Sequence, residues 1–234
     1  MNSVNHEPDG KWKFDETVAN VFDDMLERSI PDYCMMRNLV SELTCKYAAD
    51  DTAILDLGCS TGGAIKKSVK QLPENHFIGI EVSEPMREIA ENNFKNNENV
   101  TILNTDINKS LPTTNKDISV ILSILTIQFT PIEHRLNIIK RIYDALSKDG
   151  AFIFVEKVLG NTADLDNLFV DLYYKMKGNN GYTHEKIQKK RKSLEGVLVP
   201  VTSKWNYELL KKSGFKQVDL FWRNLNFAGY IAVK

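Results

Sequence analysis

The stretch Ile54-Leu55-Asp56-Leu57-Gly58-Cys59-Ser60-Thr61-Gly62-Gly63 constrains this chain more than any other. Ile54 to Leu57 read as the end of a buried strand, and the Gly/Ser/Thr run turns tightly before a helix that starts near Ala64. A strand, a glycine turn and a helix N-terminus in that order make a cofactor cradle at the carboxyl edge of an α/β sheet. The details decide between ligands. In the dinucleotide fingerprint the second glycine lets the backbone approach a pyrophosphate, and Ser60 stands in that place. A triphosphate loop closes on Lys-Ser or Lys-Thr, whereas Lys66 and Lys67 come too late. Asp56, at the strand's carboxyl end, repels a phosphate and favours a cation such as the ammonium of a bound amino acid.

Two more acidic residues follow at informative spacings. Phe77 to Ile80 reads as the next strand and ends in Glu81-Val82, at the offset where a carboxylate accepts hydrogen bonds from a ribose diol. Val100 to Leu103 leads to Asp106-Ile107, a pair suited to an adenine amino group and ring. Met86, in the first turn of the helix capped by Ser83, is expected to line the adenine pocket. Three strand ends carrying acidic residues fit S-adenosylmethionine, which is cationic at nitrogen and sulfur and has no phosphate. The cofactor set expected from these residues is Asp56, Gly58, Cys59, Ser60, Glu81, Val82, Met86, Asp106 and Ile107, with Ser123 and Gln128 from the loop after the fourth strand.

The D-L-G-x-S-x-G turn, Glu81 and Asp106-Ile107 resemble the class I S-adenosylmethionine-dependent methyltransferases. Within them the chain is most similar to the carboxy-S-adenosylmethionine synthases of bacterial tRNA wobble-uridine modification. That likeness covers nearly the whole chain. It rests on Phe14-Asp15-Glu16, Arg28-Ser29 through Pro31 to Tyr33, Thr126 with Gln128-Phe129, Asn180-Gly181-Tyr182 with Gln188 to Arg191, Gly214-Phe215 and Asn226-Phe227. It implies a Rossmann-like α/β sheet, mostly parallel with an antiparallel last strand, a homodimer, and a Tyr33 position that lies at the cofactor. Two positions depart from the family. Ile124 stands where an Asn touches the cofactor, and Leu209 where an Arg holds the extra carboxylate. An apolar residue cannot pair with a carboxylate, and a buried unpaired one is costly. These departures favour a methyltransferase acting on a small polar acceptor, an anionic metabolite included. The alternatives are the synthase itself and, from another class, an RNA-binding module.

Length and composition fit one domain of 234 residues: a leader over 1–11, an N-terminal helical cap over 12–50 and a helical insertion over 160–200. Pro8-Asp9-Gly10 reads as a turn, and order is expected from about Trp12. One amphipathic helix is expected from Asp15 and a second from Pro31, with Met35, Met36, Leu39, Val40 and Leu43 as its core stripe. A helix from Pro131 to Ser147 is expected to stop at Asp149-Gly150, and Leu165, Leu168, Phe169, Leu172 and Met176 form the apolar face of a later one. The apolar runs are strand-length and the start is polar, so a cytoplasmic enzyme without a membrane span is expected. Cys34, Cys45 and Cys59 form no metal-ligand spacing, and no metal is expected. The net charge of −1 gives no global field for nucleic acid, and the Lys186 to Lys192 run reads as a solvated helix face. The catalytic candidates are Glu156 at a strand end, Tyr33, and His184 as a base. Arg28, Tyr182, Arg191 and Trp222 are the candidates for holding the acceptor.

Overall fold

Runs of β-branched and aliphatic residues build one sheet through the centre of the computed structural model, which describes residues 10–234. The strands are β1 (Ala53–Leu57), β2 (His76–Ile80), β3 (Val100–Leu103), β4 (Ile118–Ile124), β5 (Leu146–Leu159), β6 (Val201–Thr202), β7 (Gln217–Asn224) and β8 (Phe227–Val233). Their order is β3-β2-β1-β4-β5-β8-β7, with β6 pairing the far end of β5. β1 to β5 run parallel, and β8 is antiparallel to both neighbours. All five residues of β1 are buried, which is why four of them are apolar and Asp56 stands out among them.

Helices cover both faces. On one, Ile138, Ile139 and Ile142 of α6 (Ile132–Ala145) and Leu209 and Leu210 of α9 (Ser203–Lys212) pack on Phe152, Phe154 and Tyr230. On the other, Met36 and Val40 of α3 (Tyr33–Tyr47) and Val69 of α4 (Lys66–Gln71) meet Ile54, Val120 and Ile153. A third cluster joins Trp12 and the short N-terminal helices α1 (Glu16–Ala19) and α2 (Phe22–Ser29) to Met86 of α5 (Glu84–Phe94). The insertion supplies α7 (Ala163–Asn179) and α8 (His184–Leu194).

Several local expectations are corrected. The N-terminal helix is two helices, the first capped by Asp15, whose Oδ1 accepts from Val18 N at 3.1 Å. Pro31 does not start α3, because Asp32 takes a left-handed conformation before it. Met36 is fully buried but Met35 is 59% exposed. Asp149-Gly150 lies inside β5, which begins at Leu146 and runs on to Leu159. On α7 the expected apolar face is met in part: Phe169 is half-buried and Met176 packs on the core, but Leu165, Leu168 and Leu172 are exposed, while Tyr173 and Lys177 point inward. Residues 1–9, with the Pro8-Asp9 part of the expected turn, lie outside the described residues. No described helix is long and apolar enough to cross a membrane.

Candidate active site

The parallel strands end at one edge, and the turn after β1 is shaped there by glycine. Gly58 has φ +67°, and a Cβ on it would lie 2.4 Å from Thr126 Cγ2. Ser60 is also left-handed, at φ 51°. This aims backbone N–H groups at the ends of the neighbouring strands: Cys59 N donates to Ile80 O at 3.0 Å and Ser60 N to Glu81 Oε2 at 3.0 Å. The other oxygen of Glu81 accepts from Ser83 N at 2.8 Å. Burial raises the Glu81 carboxyl even against these bonds.

Asp56 is 1% exposed, and its Oδ2 has no hydrogen-bond partner. Burial pushes its carboxyl up to about 7, although the Arg37 guanidinium works in the opposite direction. An orphaned buried acceptor is costly, and it marks a place for a donor the protein lacks. Cys59 is not such a group. Burial drives its thiol upward, with Asp56 and Glu81 adding to the effect, so it stays a packed thiol.

A cavity of about 300 Å³ opens over this edge. Of the expected cofactor residues it is lined by Tyr33, Asp56, Gly58, Cys59, Ser60, Glu81, Val82, Asp106, Ile107 and Gln128. Met86 and Ser123 do not line it. Met86 packs beneath α1 and α2, and Ser123 is wholly buried in β4 with its Oγ unpartnered. Asp106 accepts from Asn108 N at 2.9 Å, which lowers its carboxyl and keeps it charged. Gln128 is occupied by the backbone: Nε2 donates to Leu125 O at 3.1 Å, and Oε1 accepts from Lys157 N at 2.9 Å. Its role in the cavity wall is to tie the loop after β4 to β5. Tyr33 lines the cavity with its phenol raised by burial.

Glu156 lies elsewhere. It is 2% exposed, paired across the sheet with Ala228, and does not line the cavity. Burial pushes its carboxyl up to about 8 against Arg135 and the backbone N–H groups of Gln128, Ile127 and Thr126. Arg135 in turn donates to Gln128 O at 3.1 Å, Thr130 O at 3.1 Å and Val199 O at 2.8 Å. The pair therefore sits under the loop at 126–130 and holds its shape. His184 is exposed at the start of α8. Arg191 faces outward, 3.3 Å from Glu195, and Trp222 is core, packed with Tyr173 and Phe227. Arg28 pairs with Asp24 at 2.6 Å and stacks 4.6 Å over the Tyr182 ring, behind the cavity wall.

The sequence reading missed the cationic part of the cavity lining. Lys157 and Lys190 line it, and Lys177, 3% exposed, sits behind them. Aromatic faces hold all three: Lys157 and Lys177 lie 5.2 and 5.6 Å from the Tyr173 ring, Lys177 4.7 Å from Tyr182, and Lys190 4.8 Å from Trp12. Among the described residues none of the three has a carboxylate within ion-pair distance. Burial first, and then the mutual repulsion of these cations and Arg28, brings Lys177 down to about 8 and Lys190 well below its usual value. Successive strand residues face opposite sides, so Lys157 turns towards the cavity where Glu156 turns away from it.

A sheet of this order, with acidic residues at the ends of β1 and β2 and after β3, defines a class I S-adenosylmethionine-dependent methyltransferase domain. A "Methyltransferase domain" family model matches residues 54–150. The carboxy-S-adenosyl-L-methionine synthase of Methylococcus capsulatus is 37% identical over 228 residues, covering 94% of this chain and 93% of its own. That of Staphylococcus epidermidis is 38% identical over 226 residues, covering 96% and 97%. The chain belongs to this family. Among solved structures, an O-methyltransferase family protein from Burkholderia thailandensis superposes with a TM-score of 0.67 at 14% identity, over 94% of this chain and 60% of that one. This last likeness shows the fold.

Proposed function

We propose that the chain makes carboxy-S-adenosyl-L-methionine from S-adenosylmethionine and a carboxylate-bearing donor such as prephenate. The observation that carries this reading is the set of unpaired cations at the cofactor cavity, Lys157 and Lys190 in its lining and Lys177 behind them. A cationic sulfonium gains nothing from them, whereas a carboxylated co-substrate supplies the missing counter-charge. S-adenosylmethionine supplies a methyl carbon activated by sulfonium. The chain's own residues do the rest. Asp56 offers its free oxygen to an ammonium, Glu81 and Asp106 face the nucleoside portion, and the lysines orient the donor's carboxylates. Trp12, Phe14 and Phe129 wall the cavity and exclude water; the Phe14 ring lies 5.1 Å from Phe129 in an edge contact.

The sequence argument against this reaction rested on Ile124 and Leu209. Leu209 is 5% exposed, in the core beside Leu210 and Phe215, and does not line this chain's cavity. Ile124 does line it, and that observation favours a second reading, methyl transfer to an anionic small-molecule acceptor. The RNA-binding reading loses two of its charges, because Lys190 turns into the cavity and Arg191 pairs with Glu195. The homodimer implied by the family likeness is part of the proposal. To separate the two reactions, the purified protein is denatured and the released small molecule weighed. A cofactor heavier by one carboxyl group supports synthesis. Release of the demethylated cofactor alone, together with methylation of an anionic acceptor, supports the second reading.

A further inference from the structure

Lys190 enters the cavity wall from α8 at a place that suits an amine better than an ammonium. Its Nζ lies 4.8 Å from the centre of the Trp12 ring. Trp12 is itself buried and is tied to α8 by its backbone N–H, which donates to Ser193 O at 2.9 Å. The groups whose charge reaches Lys190 are Lys157 on β5, Lys177 on α7 and Arg28 on α2, all of them cationic. Asp24 answers Arg28, whereas among the described residues the three lysines have no carboxylate within ion-pair distance. Crowded ammoniums in a desolvated place expel a proton from the one least able to keep it. Burial, and then the repulsion of these neighbours, makes that one Lys190. In the empty site it is therefore a neutral amine facing a cavity, beside two cations that lack an anion.

We propose that Lys190 is a carbamylation site, where dissolved carbon dioxide adds to the amine and the resulting carbamate pairs with Lys157 and Lys177. The nitrogen lone pair attacks the carbon of CO2, one C–O π pair becomes the carboxylate charge, and the displaced N–H proton leaves to solvent. Nothing is oxidised and no further reactant is needed. CO2 is uncharged, so it enters a desolvated cavity without a counter-ion, and it turns the amine into the anion that the two lysines require. Exposed lysines stay protonated at neutral pH and do not react in this way. The inference goes beyond the proposed reaction and does not depend on it. A carboxylated co-substrate would restore the proton of Lys190 and use the same two ammoniums, so donor and carbamate exclude one another.

In the test, the full chain is equilibrated at pH 8 with isotopically labelled bicarbonate, carbamates are fixed by alkylation with triethyloxonium, and the labelled peptides are located by mass spectrometry. Label is expected on Lys190 and is expected to be lost in K190R, whose guanidinium stays protonated. Lys157→Met should weaken CO2 capture about tenfold, the worth of one charge-assisted contact. No label at Lys190, label spread over exposed lysines, or equal total label in K190R overturns the inference, and so does a K157M protein that captures CO2 as well as wild type. Label at Lys190 that survives saturating prephenate upholds the carbamate and counts against the donor site of the proposed reaction.

Discussion

Replacing Asp56 by Asn is expected to stabilise the ligand-free protein and to impair its use of the cofactor. Burial holds this carboxyl at about 7 instead of the ordinary 3.8, so folding opposes its ionisation. Between these values the folded state binds more protons than the unfolded one, and stability falls as pH rises. At about 1.4 kcal/mol per pH decade, flattening as the folded carboxyl titrates, the Asp56 contribution declines by about 2.5 kcal/mol from pH 5 to pH 7 and is nearly level from pH 8. For a domain of this size each kcal/mol moves Tm by roughly 2–4 °C. The Tm of D56N should therefore rise relative to wild type by roughly 5–10 °C over that interval. Glu81 and Glu156 are raised as well, so both proteins keep part of the slope and the difference isolates Asp56. The assay is thermal unfolding by fluorescence across pH 5 to 9, paired with titration of S-adenosylhomocysteine. Loss of the ammonium partner should weaken binding on the order of 100-fold, by analogy with breaking a buried pair. A D56N protein whose Tm tracks wild type at every pH, or whose affinity is unchanged, would refute the reasoning.

Glu156→Gln should keep both stability and activity near wild type at pH 7, since the native carboxyl is raised to about 8 and is mostly protonated there. Glu156→Ala should lose about 3 kcal/mol in denaturant unfolding, because truncating this 2% exposed side chain leaves a cavity under the loop at 126–130; a large fall in kcat for E156Q would instead assign Glu156 to the chemistry. Lys177→Met should raise Tm at pH 7, where a lysine brought down to about 8 carries a penalty of at most about 3 kcal/mol. The lysine's penalty is complete below pH 8 and fades as pH climbs towards 10.5, so the advantage of K177M should fade with it, while the KM for the carboxylate donor rises. Gly58→Ala should cost about 2 kcal/mol and at least about tenfold in cofactor affinity, from a strained positive φ and collision with Thr126; an unchanged thermal melt would count against the geometry of the turn.

The cofactor end of the site was legible because it depends on short-range signals. Asp56 and Glu81 close apolar strand runs and Asp106 follows a third, and parallel strands must bring such ends to one edge. Glu156 carried the same signal but lies mid-strand, because β5 continues three residues further and pairs Lys157 with Phe227. The cationic end was not legible for a related reason. The helical period of α7 identifies two faces but not which one turns inward, and here the leucines point out while Tyr173 and Lys177 point in. Lys190 sits in a basic run whose composition suggests a solvated surface, and its contact with Trp12 joins segments about three quarters of the chain apart. Leu209 shows the limit of position-by-position carry-over: the substitution is real in sequence, yet its side chain lies in the core on the far side of the sheet from α3 and α4.

The most direct test of the proposed reaction is to incubate the purified protein with S-adenosylmethionine and prephenate and to follow the cofactor by mass spectrometry. The unpaired lysines predict a product heavier than S-adenosylmethionine by one carboxyl group, formed only when prephenate is present and reduced in a Lys157→Met, Lys190→Met double variant. Unchanged S-adenosylmethionine after incubation with an amount of protein that demonstrably binds both ligands would contradict it.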